Sequence, residues 1–149
     1  MGRSLIRGCM HMPSLVERVA SIELFSELTG KEIKKVASYL TTTDVRQGRD
    51  LTVQGTTGRD FTIIVDAGAS VRRNGRLVAT LSPGDFFGEL AVIAGVPHTA
   101  TVTAENSMVV ETLNRREFSS LLDESPKLAR KILVGAVKRL YELEDGVVC

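Results

Sequence analysis

Apolar positions between residues 15 and 40 recur at helical spacing. Leu15, Val16, Val19, Ile22 and Leu24 come after Pro13 and Ser14, and Ile33, Val36, Ala37 and Leu40 come after "TGKE". A repeat of about 3.6 residues predicts two amphipathic helices. Thr29 with Glu32 three positions later is a capping box for the second. Phe25 and Leu28, between them, are placed to plug the helices onto the rest of the domain. From Thr41 the pattern changes to short β-prone runs separated by glycines: "TTTDVR" then Gly48, "DLTV" then Gly55 and Gly58, "FTIIV" then Gly68. "SVRR" and "RLVATL" flank Asn74-Gly75, and Pro83-Gly84 comes next. Asn-Gly between two such runs predicts a tight hairpin, because both turn residues need positive φ. "TATVTA" and "MVVETL" add two more strands. Many short strands at regular spacing predict a sandwich, barrel or jelly roll.

The helical repeat returns near the C-terminal end. Asn114 is a cap for "NRREFSSLL", and Ser125-Pro126 opens a longer helix reaching about Asp145. Ala129, Ile132, Leu133, Ala136, Val137, Leu140 and Leu143 form one stripe, with Lys127, Arg130, Lys131, Lys138 and Arg139 mostly off it. Such a stripe packs on its own domain, or serves as a mobile lid or a dimer seam.

Composition narrows the function classes. The chain of 149 residues fits one domain, and 43% hydrophobic residues can build a core. Nineteen basic and 18 acidic residues are well mixed and leave a net charge of +1. That balance supplies no field for nucleic acid or an anionic membrane, so no DNA binding is expected of this chain alone. No apolar run approaches the roughly 20 residues of a membrane span. The start "MGRSLIRGCMHMPSL" is too broken by Gly, His and Pro for a secretory signal. Cys9 and Cys149, far apart and outside any Cys-x-x-Cys, point to a reducing, cytoplasmic setting. Cys9, Met10, His11 and Met12 include soft metal ligands, yet four adjacent residues do not easily wrap one ion. No metal and no cofactor are expected.

Within "GDFFGELAVIAGVPHTATV", residues 84–102, a short helical piece interrupts the strands. A helix start presents unpaired N–H groups that suit an anion, and Gly88 lets a ligand approach the backbone closely. Ala91, one turn on, is equally small. Glu89 would repel a phosphate but can accept charge-assisted hydrogen bonds from sugar hydroxyls. Glycine, amides and a carboxylate together suit a nucleotide. Equally, Gly88 can merely turn the chain while Glu89 steadies the helix start.

"SPGDFFGELAVIAGVPHTATVTA" resembles the phosphate-binding cassette of the cyclic-nucleotide-binding domains. That family includes bacterial cAMP receptor proteins, regulatory parts of cyclic-nucleotide-dependent kinases and several ion channels. "LFSELTGKEIKKVASYL" resembles its leading helices, and "RQGRDLTVQGTTGRDFTIIVDAGASVRRNGRLVATL" its strand-and-glycine framework. The resemblance implies a mainly β fold with flanking helices. It is an eight-stranded, jelly-roll-like β-roll with N-terminal helices, a short phosphate-cassette helix and C-terminal lid helices. The implied organisation is a helical lead at 1–23 and a binding domain at 24–145. Within the latter lie the β-roll (41–113), the cassette (84–102) and the C-terminal helices (114–145).

By the same resemblance, Gly88, Leu90 and Ala91 would meet the cyclic phosphate through their backbone, and Glu89 would hold the ribose 2′-hydroxyl. Thr99 and Ala100 would continue the phosphate site, and Val71 would face sugar and base. Arg139 or Leu140 on the last helix would touch the base. The ligand implied is cAMP or cGMP, and Thr99 leaves that choice open.

One position departs from the family's pattern. Pro-Arg-small is expected, and this chain reads Pro97-His98-Thr99. Arginine is always charged and forked for phosphate, whereas histidine is shorter and titrates near pH 6.5. Three outcomes are open. The pocket binds cyclic nucleotide weakly, and better when His98 is protonated. It takes a ligand needing no arginine. Or it binds nothing, and the fold serves as a dimerisation or docking module for a second copy or an effector. The leading expectation is a non-catalytic sensor that relays ligand binding through its last helix. With "DGVVC" after that helix, a helix-turn-helix is not expected of this chain. An enzyme is not expected, because neither histidine belongs to a nucleophile motif and no Walker or Gly-x-Ser-x-Gly pattern occurs.

Overall fold

A computed structural model describes residues 14–145, with side chains through Tyr141. The Cys9–Met12 cluster and Cys149 lie outside the described residues, as do the side chain of Leu143 and the tail.

The chain opens with α1 (Leu15–Ala20), a 3-10 turn (Glu23–Phe25) and α2 (Gly30–Tyr39). Both helices start on a complete capping box, Ser14 with Glu17 and Thr29 with Glu32. Eight strands come next, β1 (Thr41–Val45), β2 (Asp50–Thr52), β3 (Asp60–Asp66), β4 (Ala69–Arg73), β5 (Arg76–Leu81), β6 (Phe86–Phe87), β7 (Thr101–Ala104) and β8 (Met108–Asn114). A short helix α3 (Glu89–Ala94) sits between β6 and β7, and α4 (Arg115–Glu124) and α5 (Pro126–Asp145) close the chain. The strands form two antiparallel four-stranded sheets, ordered β1-β8-β3-β6 and β2-β7-β4-β5. This is the mainly β roll with flanking helices that the sequence predicts.

The β4–β5 hairpin turns at Asn74 (φ 55) and Gly75 (φ 77), the double positive φ that an Asn-Gly turn supplies. Strand β6 carries no sequence signal of its own. Two residues between a Pro-Gly turn and Gly88 are too few to alternate, and only pairing with β3 (Thr62 with Phe87, Ile63 with Phe86) makes them a strand. The "TATVTA" run pairs from Thr101 rather than Thr99, which frees Thr99 and Ala100 as loop.

Two apolar clusters share β3 as their common wall. Phe61 and Ile63 face the helices with Val19, Phe25, Val36, Leu113, Phe118, Leu128 and Ile132. Ile64 faces the roll interior with Val45, Phe87, Val102, Met108 and Val110. Phe118 of α4 stacks on Phe61 with ring centroids 4.5 Å apart. Helix α1 is further tied to the sheet by Arg18, whose Nη2 donates to Glu111 Oε2 at 3.1 Å. Glu111 is buried in β8 and also accepts from Thr42 Oγ1 at 2.7 Å.

Helix α5 departs from the single-stripe expectation. Leu128, Ile132 and Ala136, spaced four apart, are the buried line. Leu133, Val137 and Leu140 are 44–61% exposed, and Val134 and Tyr141 join them outside. The helix rests on the rest of the domain along one edge only, so half of its apolar arc finds no cover. Lys131 fastens that edge, donating to Glu23 O (2.8 Å), Glu23 Oε2 (2.9 Å) and Ser26 Oγ (2.8 Å).

Candidate functional site

The loop after β5 turns at Pro83-Gly84, pairs briefly as β6, and enters α3 through Gly88. Gly88 has φ 90, and a Cβ there would lie 2.6 Å from the Asp60 carbonyl oxygen. Backbone shape and close approach both demand glycine. The space a side chain would need there is filled by the β3 backbone, and Gly88 with the first turn of α3 borders a cavity of about 310 Å3. That size suits a small-molecule site.

Gly88, Glu89, Leu90, Ala91, His98, Thr99, Ala100, Val71, Arg139 and Leu140 all border this one cavity. They are the residues expected from the sequence, and folding brings them together from separate stretches of chain. Thr52, Val78, Asp85 and Val102 border it as well and were not among those expected. Val78 and Val102 are legible afterwards as inward positions of alternating strands. Thr52 has a specific task, since its Oγ1 donates to Ala100 O (3.0 Å) and accepts from Val102 N (3.1 Å). It pins the start of β7 beside His98.

Glu89 is only 3% exposed and has an ionic partner. Arg139 Nη1 donates to Glu89 Oε1 at 2.7 Å, its Nη2 donates to the Phe86 carbonyl, and its guanidinium lies 4.7 Å from the centre of the Phe86 ring. Gly135 lets α5 lie flat against that ring, because a Cβ there would come within 2.8 Å of Phe86 Cζ. The last helix therefore grips the cassette at the very carboxylate that faces the cavity. The sequence nominates Glu89 and Arg139 separately, and their pairing across 50 residues has no local signal.

His98 is held by its backbone. Its N–H donates to Thr56 O and its carbonyl accepts from Gly55 N, both at 2.9 Å. The half-buried imidazole lies against Gly58 and close to Ala91. Burial holds its titration below the ordinary histidine value.

Among the described residues no cluster of His, Cys, Asp and Glu could hold a metal ion, and no helix is long and apolar enough to cross a membrane.

Two antiparallel sheets, a short helix at the mouth and a long helix clasped across it make a β-roll of the small-ligand-pocket class. Residues 42–125 match the family described as cyclic nucleotide-binding domain. The cAMP-dependent protein kinase regulatory subunit of Schizosaccharomyces pombe is 36% identical over 125 residues, covering 83% of this chain and 30% of that protein. The regulatory subunit of Debaryomyces hansenii is 35% identical over 102 residues, covering 68% of this chain and 23% of that protein. The cAMP-bound structure of PfPKA-R superimposes with a TM-score of 0.79 at 26% identity, covering 89% of this chain and 45% of that one. The chain belongs to the cyclic nucleotide-binding domain family, and resembles the regulatory domains of the cAMP-dependent kinases. It spans roughly a quarter to a third of the length of the curated relatives it matches.

Proposed function

We propose that this domain is a non-catalytic sensor that binds a cyclic nucleotide, cAMP or cGMP, in the 310 Å3 cavity and relays occupancy through α5 to an effector protein or domain. The observation that carries this reading is the Arg139–Glu89 pair at 2.7 Å, which joins the proposed ligand carboxylate to the terminal helix. The kinship with kinase regulatory subunits and the fold shared with a cAMP-bound relative support it.

In this mechanism the amides from Gly88 to Ala91 receive the cyclic phosphate, with Thr99, Ala100 and His98 on its other side. Glu89 accepts the ribose hydroxyl, Val71 meets sugar and base, and Leu140 meets the base. An incoming hydroxyl draws on the carboxylate that Arg139 already grips. Ligand thus interacts differently with the clasped and unclasped arrangements of α5, the condition for a switch.

His98 gives the reading its pH dependence. Burial keeps the ring below its ordinary value without ligand, and a bound phosphate raises it. Binding then takes up a proton, so affinity falls as pH rises from the free to the bound value. Calorimetry with cAMP and cGMP at pH 6 and pH 8 tests this. Wild-type protein is expected to bind more tightly at pH 6. His98→Arg is expected to gain ~10-fold or more at pH 8, the worth of one hydrogen bond to a charged group. Absence of binding by both proteins at both pH values overturns the reading.

The uncovered arc of α5 favours a second reading, dimerisation without nucleotide. Leu133, Val137 and Leu140 keep the 4-3 spacing of a two-helix seam, and their exposure leaves room for a second copy of this chain. Sedimentation equilibrium then shows a dimer that Val137→Glu dissociates. A monomer at every concentration removes this reading.

A further inference from the structure

Gly58, on the loop between β2 and β3, is buried, and its φ lies outside the positive region that favours glycine. Its backbone would suit alanine, which has the smaller conformational entropy to lose. Space is what forbids a side chain. A Cβ at Gly58 would collide with Ala91 Cβ and would sit 2.7 Å from His98 Cε1 and 2.8 Å from His98 Nε2. The imidazole therefore occupies a slot that exists only because residue 58 has no side chain.

The same glycine is tied from behind. Arg115, the first residue of α4, extends Nη2 to the Gly58 carbonyl at 3.4 Å and to the Ala91 carbonyl at 3.5 Å. One guanidinium thus spans the loop and the cassette helix. The ring itself is a partition. His98 and Thr52 border both the main cavity and an outer recess of about 250 Å3 that is lined by Thr57, Arg59, Asp60 and Thr62.

We propose that Gly58 and Arg115 are positioning residues for the anion site: Arg115 holds the loop to the cassette helix, and the bare Gly58 leaves the slot that fixes the His98 ring beside Ala91. The proposal rests on the cyclic-nucleotide reading of the cavity and adds two residues outside the cassette to it. The charged groups that border the two recesses shared by His98 are Arg59 and Asp60 on the loop and β3, Asp85 before β6, Glu89 on α3 and Arg139 on α5, and Arg115 on α4 lies behind the slot. Of these only Arg115 contacts both walls of the slot.

The experiment is a titration of the His98 ring protons by NMR in the ligand-free protein, with assignment by His98→Asn. Wild-type protein is expected to titrate below about pH 6.5, the unperturbed value. Gly58→Ala, which evicts the ring, and Arg115→Met, which loosens the slot, are each expected to move the midpoint up toward that value. Arg115→Lys, keeping charge but not the fork, is expected to fall between. Arg115 is on an exposed first turn, so Arg115→Met decides the matter even where Gly58→Ala does not fold.

Calorimetry with cAMP on the same proteins should show the pH 6 to pH 8 difference flattened and affinity reduced ~10-fold or more. An unchanged His98 midpoint in the folded variants overturns the proposal. Failure of wild-type protein to bind either nucleotide sinks the functional reading instead, and the ring titration still decides whether Gly58 and Arg115 position His98.

Discussion

Among the described residues two carboxylates are buried, each held by an arginine from a helix, and their surroundings separate their roles. Glu111 is enclosed between α1 and the sheet, with Arg18 and Thr42 as partners. Arg18→Ala leaves it buried without its cation, and a loss of ~3–5 kcal/mol in urea unfolding is expected. Glu89 borders the cavity, which opens a route for water to its pair with Arg139. Arg139→Ala should cost less, ~1–3 kcal/mol without ligand, since water can reach the vacated side. At the start of β3, partial burial and then the neighbouring charge of Glu117 raise the titration of Asp60, with Arg59 opposing. A raised value in the folded state means that stability is lost as pH climbs through the Asp60 window, above about 3.9. Asp60→Asn is therefore expected to raise the melting temperature at pH 7 and to leave it unchanged at pH 3.

At the scale of elements, Phe118 and Phe61 join α4 to β3. Phe118→Ala should cost ~3–5 kcal/mol in the same unfolding assay, because the ring is almost wholly buried and its stacking partner stays behind. Elements with local signals were legible in the sequence. The Thr29 capping box, the Ser14 start and the Asn114 cap mark helix starts, and the structure completes a box at all three. The Asn74-Gly75 turn marks its hairpin. Most strands alternate between glycines. What the sequence hid was set by distant partners. Strand β6 exists only through β3, and the burial of α5 depends on how much neighbouring surface is available to cover it. Its periodicity shows where the apolar arc lies, not which half finds cover. The same holds in the site. Family-like spacing led to Glu89, His98 and Arg139. Gly58 was legible only as a turn glycine, since its importance is the space it yields to a ring far along the chain.

For the whole molecule, the two sheets and the helical layer meet at the cavity rim, so a ligand there touches every layer. Saturating cAMP at a hundred times its Kd is expected to add ~2.7 kcal/mol to the unfolding free energy, read as an upward shift of the melting temperature. Strand β3 carries this coupling. Ile63 and Ile64 have no exposed surface and point into opposite clusters, one among the helices and one inside the roll. Their amides are expected to be among the slowest to exchange, through openings that disrupt both clusters and approach global unfolding. The half-covered helix α5 can exchange by local opening. A deuterium-exchange time course therefore carries its own internal clock, with β3 timing the unfolding of the whole molecule and α5 timing the release of its clasp.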